Sequence, residues 1–205
     1  MLDRQAGAGS MNDSNRVGWL TLAFLFALGF VMAIAAIARA DYSRLAERVT
    51  ALVPRLGARG VALVEPVEFG NALAQACNQE RECVARLLTM AVMESGLSAA
   101  VARSEYTTHQ GDAYTDRNGV RQHRAWGTYQ QHKCRLNADV WGDDDPLVQA
   151  RAARARQLGA LAECRAFRVV PEIGMWRLLS GRGCLHPYQG ETARMELLAK
   201  IRRAL

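Results

Sequence analysis

Apolar positions recur at helical spacing through most of this chain, and two stretches break the rhythm. From Val17 to Ala38 the run VGWLTLAFLFALGFVMAIAAIA spans 22 residues without a charge. A bilayer-crossing helix needs ~20 apolar residues, and a soluble helix of that length with no polar face is improbable. The run predicts membrane insertion or targeting. From Val101 to His123 the pattern turns to Thr, Asp, Gly, Tyr and His. There Asn118-Gly119 is the favoured pair for a tight turn, so a small antiparallel hairpin is expected.

Elsewhere the pattern and its punctuation predict helices. Asp41–Leu56 is amphipathic and interrupted at Pro54. Pro66 suits the first turn of a helix running through Phe69, Leu73 and Cys77. Arg81–Ser95 carries the stripe Val84, Leu87, Leu88, Ala91, and Gly96 is placed to end it. Asp145-Pro146 pairs a capping side chain with a first-turn proline, ahead of an Ala- and Arg-rich helix over Leu147–Leu161. Two further helices fit Pro171–Leu179 and Glu191–Leu205. The expected organisation is a disordered tail at 1–16, the apolar segment at 17–38, a stalk or first helix at 39–64, and a folded domain at 65–205. That domain is mainly α, an α+β plan with one small β-hairpin set between helices.

One position in this pattern carries chemistry. The stripe of Arg81–Ser95 continues, at i+3 and i+4 from Ala91, into Glu94 and Ser95. A carboxyl group at the end of a core-facing stripe loses part of its water, and desolvation disfavours the charged form. An acid that keeps its proton near neutral pH can donate it, which cleavage of a glycosidic bond requires. The competing reading is a helix-terminal Glu turned out to solvent.

Charge and cysteines narrow the setting only in part. The 205-residue chain has net charge +6, and of its 26 basic residues only Lys133 and Lys200 are lysines. A basic surface suits any polyanion, but no phosphate loop, zinc-finger spacing or aromatic RNA-binding signature accompanies it, so no specific nucleic acid is expected. Five cysteines (Cys77, Cys83, Cys134, Cys164, Cys184) form no C-x-x-C. Outside the cytoplasm two disulfides and a spare thiol are natural; inside, the same residues are small buried apolar groups. His109, His123, His132 and His186 show no metal-ligand spacing, so neither a metal nor another cofactor is expected. The apolar run exceeds the usual signal core, which favours an uncleaved anchor, although Ala38-Arg39-Ala40 has the form of a cleavage site. Arg39, Arg44, Arg48 and Arg55 come soon after the run, against Arg4 and Arg16 before it. That bias favours a cytoplasmic C-terminal domain.

Four strings together resemble a known family: Glu94-Ser95-Gly96-Leu97; Ala125-Trp126-Gly127-Thr128-Tyr129-Gln130; Asp145-Pro146 with Gln149-Ala150-Arg151-Ala152-Ala153; and Leu178-Leu179-Ser180-Gly181 followed by Pro187-Tyr188. Their order resembles the soluble lytic transglycosylases, kin of goose-type lysozymes, which read E-S-G, A-x-G-L-M-Q, a D-P helix, then A-Y-N-x-G and a late Tyr. The resemblance covers roughly Phe69 to Leu205. It implies a lysozyme-like fold and cleavage of the MurNAc–GlcNAc bond of peptidoglycan, with Glu94 as general acid and then base. The sugar's own hydroxyl closes an anhydro ring, so no second carboxylate is required. It also implies substrate contacts from Ser95, Gly127, Tyr129, Gln130, Ser180 and Tyr188. Glycan strands are the implied partner, with the membrane through residues 17–38. A secretion, pilus or phage assembly is the setting for such enzymes, in the periplasm or at a phage virion membrane, an orientation the arginines oppose.

The chain departs from the family at three points. Tyr129 replaces Met, and Leu179-Ser180 replaces Tyr-Asn, which removes an aromatic platform. Glu94 to Gly127 is 33 residues, longer than the family's usual gap. The excess brings Asp112 and Asp116, candidate second carboxylates that would permit hydrolysis instead, although turn formation is the plainer role for both. The rivals are therefore a hydrolysing lysozyme of the same fold and a non-catalytic wall-binding scaffold.

Overall fold

The structure is a computed structural model describing residues 13–105, 113–115, 117–119, 121–133 and 137–205. The chain divides into two units, Met1–Asp41 and Tyr42–Leu205. Helix α1 spans Asp13–Leu56. The expected break at Pro54 does not come before the proline; the helix ends two residues beyond it. In the first unit the described side chains are those of residues 23–32, all exposed. Among the described residues no helix is long and apolar enough to cross a membrane. Most side chains of the expected 17–38 segment lie outside the described set, and the ten that are described rise only ~15 Å along a helix, about half a hydrocarbon core.

The second unit is built around α3, Arg81–Ser95. Val84, Ala85, Leu87, Leu88 and Ala91 are fully buried, so the apolar stripe read in the sequence is the core face. The end of α1 packs by Leu45, Val49 and Val53, one residue per turn. Helix α2, Pro66–Ala76, begins at its proline, with the Glu65 side chain accepting from the Glu68 N–H. A single short turn, α4 at Ala99–Ala102, comes after α3. Helix α5 is Pro146–Cys164, α6 Pro171–Leu179 and α7 Glu191–Ala204. Asp145 caps α5 by accepting from the Leu147 N–H at 2.7 Å. The principal packings pair α2 with α5, α5 with α6, and α3 with α7.

Two small antiparallel ladders lie between α4 and α5. Strands β1 (Ala113–Thr115) and β2 (Arg121–His123) pair with Tyr114 opposite Gln122, flanking the Asn118-Gly119 turn. Strands β3 (Ala125–Trp126) and β4 (Gln131–His132) form a second hairpin where a single one was expected. Two disulfides, Cys77–Cys83 and Cys164–Cys184, tie the unit; Cys134 lies outside the described residues. The described chain is thus mainly helical with small β elements, in the order the pattern predicts.

Candidate active site

The end of α3 and the second hairpin line one cleft. Gly96 sits in the left-handed region (φ 60°) and donates its N–H to the Val92 carbonyl, stopping α3 one residue after Ser95. Glu94 is therefore the last acidic side chain of the helix and projects beside the core stripe. Its side chain is 19% exposed and lines a cleft of about 530 Å³ together with Met90, Tyr129, Gln130, Ser180 and Tyr188. The open-water alternative for Glu94 does not hold.

The hairpin is shaped by Gly127 and Gln149. Gly127 has φ +67°, and a Cβ there would lie 2.5 Å from the Gln149 side chain. The buried Gln149 amide accepts from the Thr128 N–H at 2.8 Å and donates to the Ala102 carbonyl at 2.9 Å and the Asp143 carbonyl at 3.2 Å. Those bonds fasten the hairpin to α4 and to the start of α5. The Gln130 N–H donates to the Gly127 carbonyl at 3.0 Å, closing the turn, and its side-chain amide donates to the same oxygen. The turn thereby sets Tyr129 and Gln130 at the cleft.

The end of α6 and the loop before α7 also line the cleft. Ser180 donates to the Trp176 carbonyl at 2.8 Å. Arg177 holds the loop from both ends: its guanidinium pairs bidentately with Glu191 at 2.7 and 2.9 Å and also donates to the Leu185 carbonyl. The Arg177 hydrogen bonds hold the Glu191 carboxyl below the usual carboxylate range.

Of the expected substrate contacts, Tyr129, Gln130, Ser180 and Tyr188 line the cleft with Glu94, whereas Ser95 and Gly127 do not. Ser95 is buried, donates to the Ala91 carbonyl at 2.7 Å and accepts from the Leu97 N–H, so it secures the end of α3. Gly127 faces Gln149 rather than the cleft: the missing side chain admits an amide, not a sugar. Asp112 and Asp116 lie outside the described residues. Trp126 is buried, with its indole N–H on the Asp143 carbonyl.

Arg194 is the main residue that the sequence reading missed. It rises from α7 and donates to Glu94 Oε1 at 2.5 Å, with its side chain only 8% exposed. Its guanidinium lies 5.2 Å from the Trp176 ring centroid and 5.6 Å from that of Tyr188. The same signal that singled out Glu94 marks it. Arg194, Leu198 and Ile201 form the buried stripe of α7, continued by Leu205 just beyond it, and a charge on such a stripe calls for a partner.

Among the described residues the Tyr129 hydroxyl, Arg194 Nε and the Trp176 indole nitrogen are buried without a hydrogen bond, and the buried Tyr188 hydroxyl has the Ser180 hydroxyl as its neighbour. Burial pushes both phenols above their ordinary value; for Tyr188 the Arg194 charge and the neighbouring Ser180 hydroxyl work in the other direction. Chemically, the cleft offers, among the described residues, one carboxyl group, the phenol side chains of Tyr129 and Tyr188, the amide of Gln130 and apolar walls from Leu178 and Leu179. No family model, curated protein or solved structure matches the chain.

Proposed function

We propose that the protein cleaves the glycan strand of peptidoglycan between MurNAc and GlcNAc, as a membrane-anchored lytic transglycosylase with Glu94 as its general acid and base. The observation that carries this reading is the placement of Glu94, the one carboxyl group among the described lining residues, largely buried in a cleft it shares with Tyr129 and Gln130. In the first step Glu94 gives its proton to the glycosidic oxygen. It then takes the proton of the sugar's own primary hydroxyl, which attacks the anomeric carbon and closes the anhydro ring. No water is consumed, and the carboxyl ends as it began. Gln130 has the donors and the acceptor to orient an N-acetyl group. Residues 17–38 are the proposed anchor. The two disulfides favour an oxidising compartment such as the periplasm. Local clearing of wall for a secretion, pilus or phage assembly is the setting that fits.

A second reading, a wall-binding module without turnover, is favoured by the Arg194–Glu94 ion pair. A carboxylate held by a guanidinium accepts hydrogen bonds and has no proton to give. The Leu179-Ser180 departure points the same way. Glu94→Gln separates the two. On purified peptidoglycan, solubilisation by the wild type and its loss by roughly 10²–10⁴-fold in a folded Glu94→Gln variant support the enzyme. Anhydro ends on the released fragments support a transglycosylase, and reducing ends a lysozyme. Wall-degrading activity that survives the substitution sinks the mechanism, and binding without degradation by the wild type selects the scaffold.

A further inference from the structure

The Glu94–Arg194 pair deepens that reading. Arg194 is a buried guanidinium whose hydrogen bonding, among the described residues, consists of a single bond to Glu94. Its Nε is buried without a partner among the described residues, and its Cζ lies 5.2 Å from the Trp176 ring centroid and 5.6 Å from that of Tyr188. A guanidinium carries five donors in a fork that matches a carboxylate with two parallel bonds. The site therefore holds a pre-oriented anion receptor that its internal partner uses only in part. The charge of the cleft agrees: among the described residues its lining contains two guanidiniums, Arg156 and Arg194, and one carboxyl, that of Glu94. Tyr188 lines the same cleft.

We propose that Arg194 reads an acidic substituent on the glycan, and that the ligand's carboxylate competes with Glu94 for its guanidinium. A neutral strand leaves the pair closed. An acidic strand engages the fork and draws the guanidinium away from Glu94. The pair is thus a latch that ties cleavage to sugars carrying a carboxylate. The catalytic half of this proposal rests on Glu94 acting as the acid; the recognition half does not.

The test uses the full-length chain and two probes of equal length: chitotetraose, which is neutral, and the peptide-free tetrasaccharide with lactyl carboxylates on alternate units. Binding is followed by calorimetry and cleavage by product analysis. The wild type is expected to bind the acidic probe about tenfold tighter. Arg194→Gln removes the difference, and Arg156→Gln, in a half-buried position, reduces it while leaving the α3–α7 pair intact. Glu94→Gln is the decisive variant. Removing the competing carboxylate tightens the acidic probe by roughly tenfold and leaves chitotetraose unchanged, a gain that mere loss of structure does not produce. Equal affinity of the wild type for both probes overturns the proposal, as does a Glu94→Gln variant that binds the acidic probe no better. If the preference and the gain appear but the wild type cleaves neither probe, anion recognition stands and the glycosidase reading falls.

Discussion

Tyr129 lines the cleft, and its hydroxyl lies inside the protein and bonds to nothing among the described residues. A buried, unsatisfied hydroxyl costs ~1–3 kcal/mol, a cost that a fold without a ligand bears for no return. If a sugar hydroxyl or N-acetyl group meets this oxygen, its free-state cost becomes binding selectivity. Tyr129→Phe keeps the ring that fills the core and removes only the oxygen. The variant is expected to be more stable by about 1 kcal/mol in denaturant unfolding and to degrade peptidoglycan about tenfold less efficiently. A variant that gains stability and keeps full activity removes Tyr129 from the substrate contacts. Glu94 and Arg194 form the opposite case, in which two costly groups satisfy one another. Removing one partner of a buried pair costs ~3–5 kcal/mol. Arg194→Ala should therefore lower the melting temperature clearly, while Arg194→Lys, which keeps the charge but not the fork, should fall between the two.

At the scale of elements, the cleft depends on two fastenings distant from the reacting atoms. Gly127→Ala forces a Cβ against the Gln149 amide at a positive φ. A loss of roughly 2 kcal/mol or more is expected, together with loss of activity, since the hairpin carries both Tyr129 and Gln130. Gln149→Leu should reproduce both effects at a site that never touches substrate; unfolding and degradation assays on each variant check this. The second fastening is the Arg177–Glu191 pair, which brackets the loop bearing Ser180 and Tyr188. Arg177 holds the Glu191 carboxyl below its ordinary range. The stabilisation is thus complete above the unfolded-state value and is lost as pH falls through the lower, folded-state one. Acidification into that range should raise KM before the fold melts, and Arg177→Ala should raise KM already at neutral pH; an acid-insensitive KM excludes the loop as a substrate contact. These elements also show what a sequence yields. Helix limits were legible because local chemistry sets them: Pro66, Gly96 and Asp145 act within one turn of themselves. Glu94 was legible because it breaks a local stripe. The work of Gln149 was not, because its partners Thr128 and Ala102 are brought to it only by the fold. Arg194 broke the α7 stripe just as visibly, but in an arginine-rich chain its mark is easily lost among solvated neighbours.

For the whole molecule, the opposing signals are the arginines after the apolar run and the paired cysteines. Arg39, Arg44, Arg48 and Arg55 favour holding the C-terminal domain in the cytoplasm. The disulfides favour the other side, and their contribution is large. Closing the 20-residue Cys164–Cys184 separation is worth ~3 kcal/mol by chain entropy, and the 6-residue Cys77–Cys83 separation ~2 kcal/mol. The longer bridge also ties the end of α5 to the loop that forms one cleft wall, so a reducing compartment loosens the site as well as the fold. Charge bias acts on insertion as a statistical preference, whereas a reduced domain loses a stated amount of stability in every molecule. The domain is therefore expected outside the cytoplasm. Alkylation of intact cells should leave Cys77, Cys83, Cys164 and Cys184 unmodified until reductant is added, and a reporter fused after Leu205 should be active only when exported. Replacing Cys164 and Cys184 by Ser should lower the melting temperature by roughly 6–12 °C for a chain of this size. Should the cysteines alkylate readily without reductant and the reporter act only in the cytoplasm, the arginines decide the orientation, and a wall-cleaving role is lost with it.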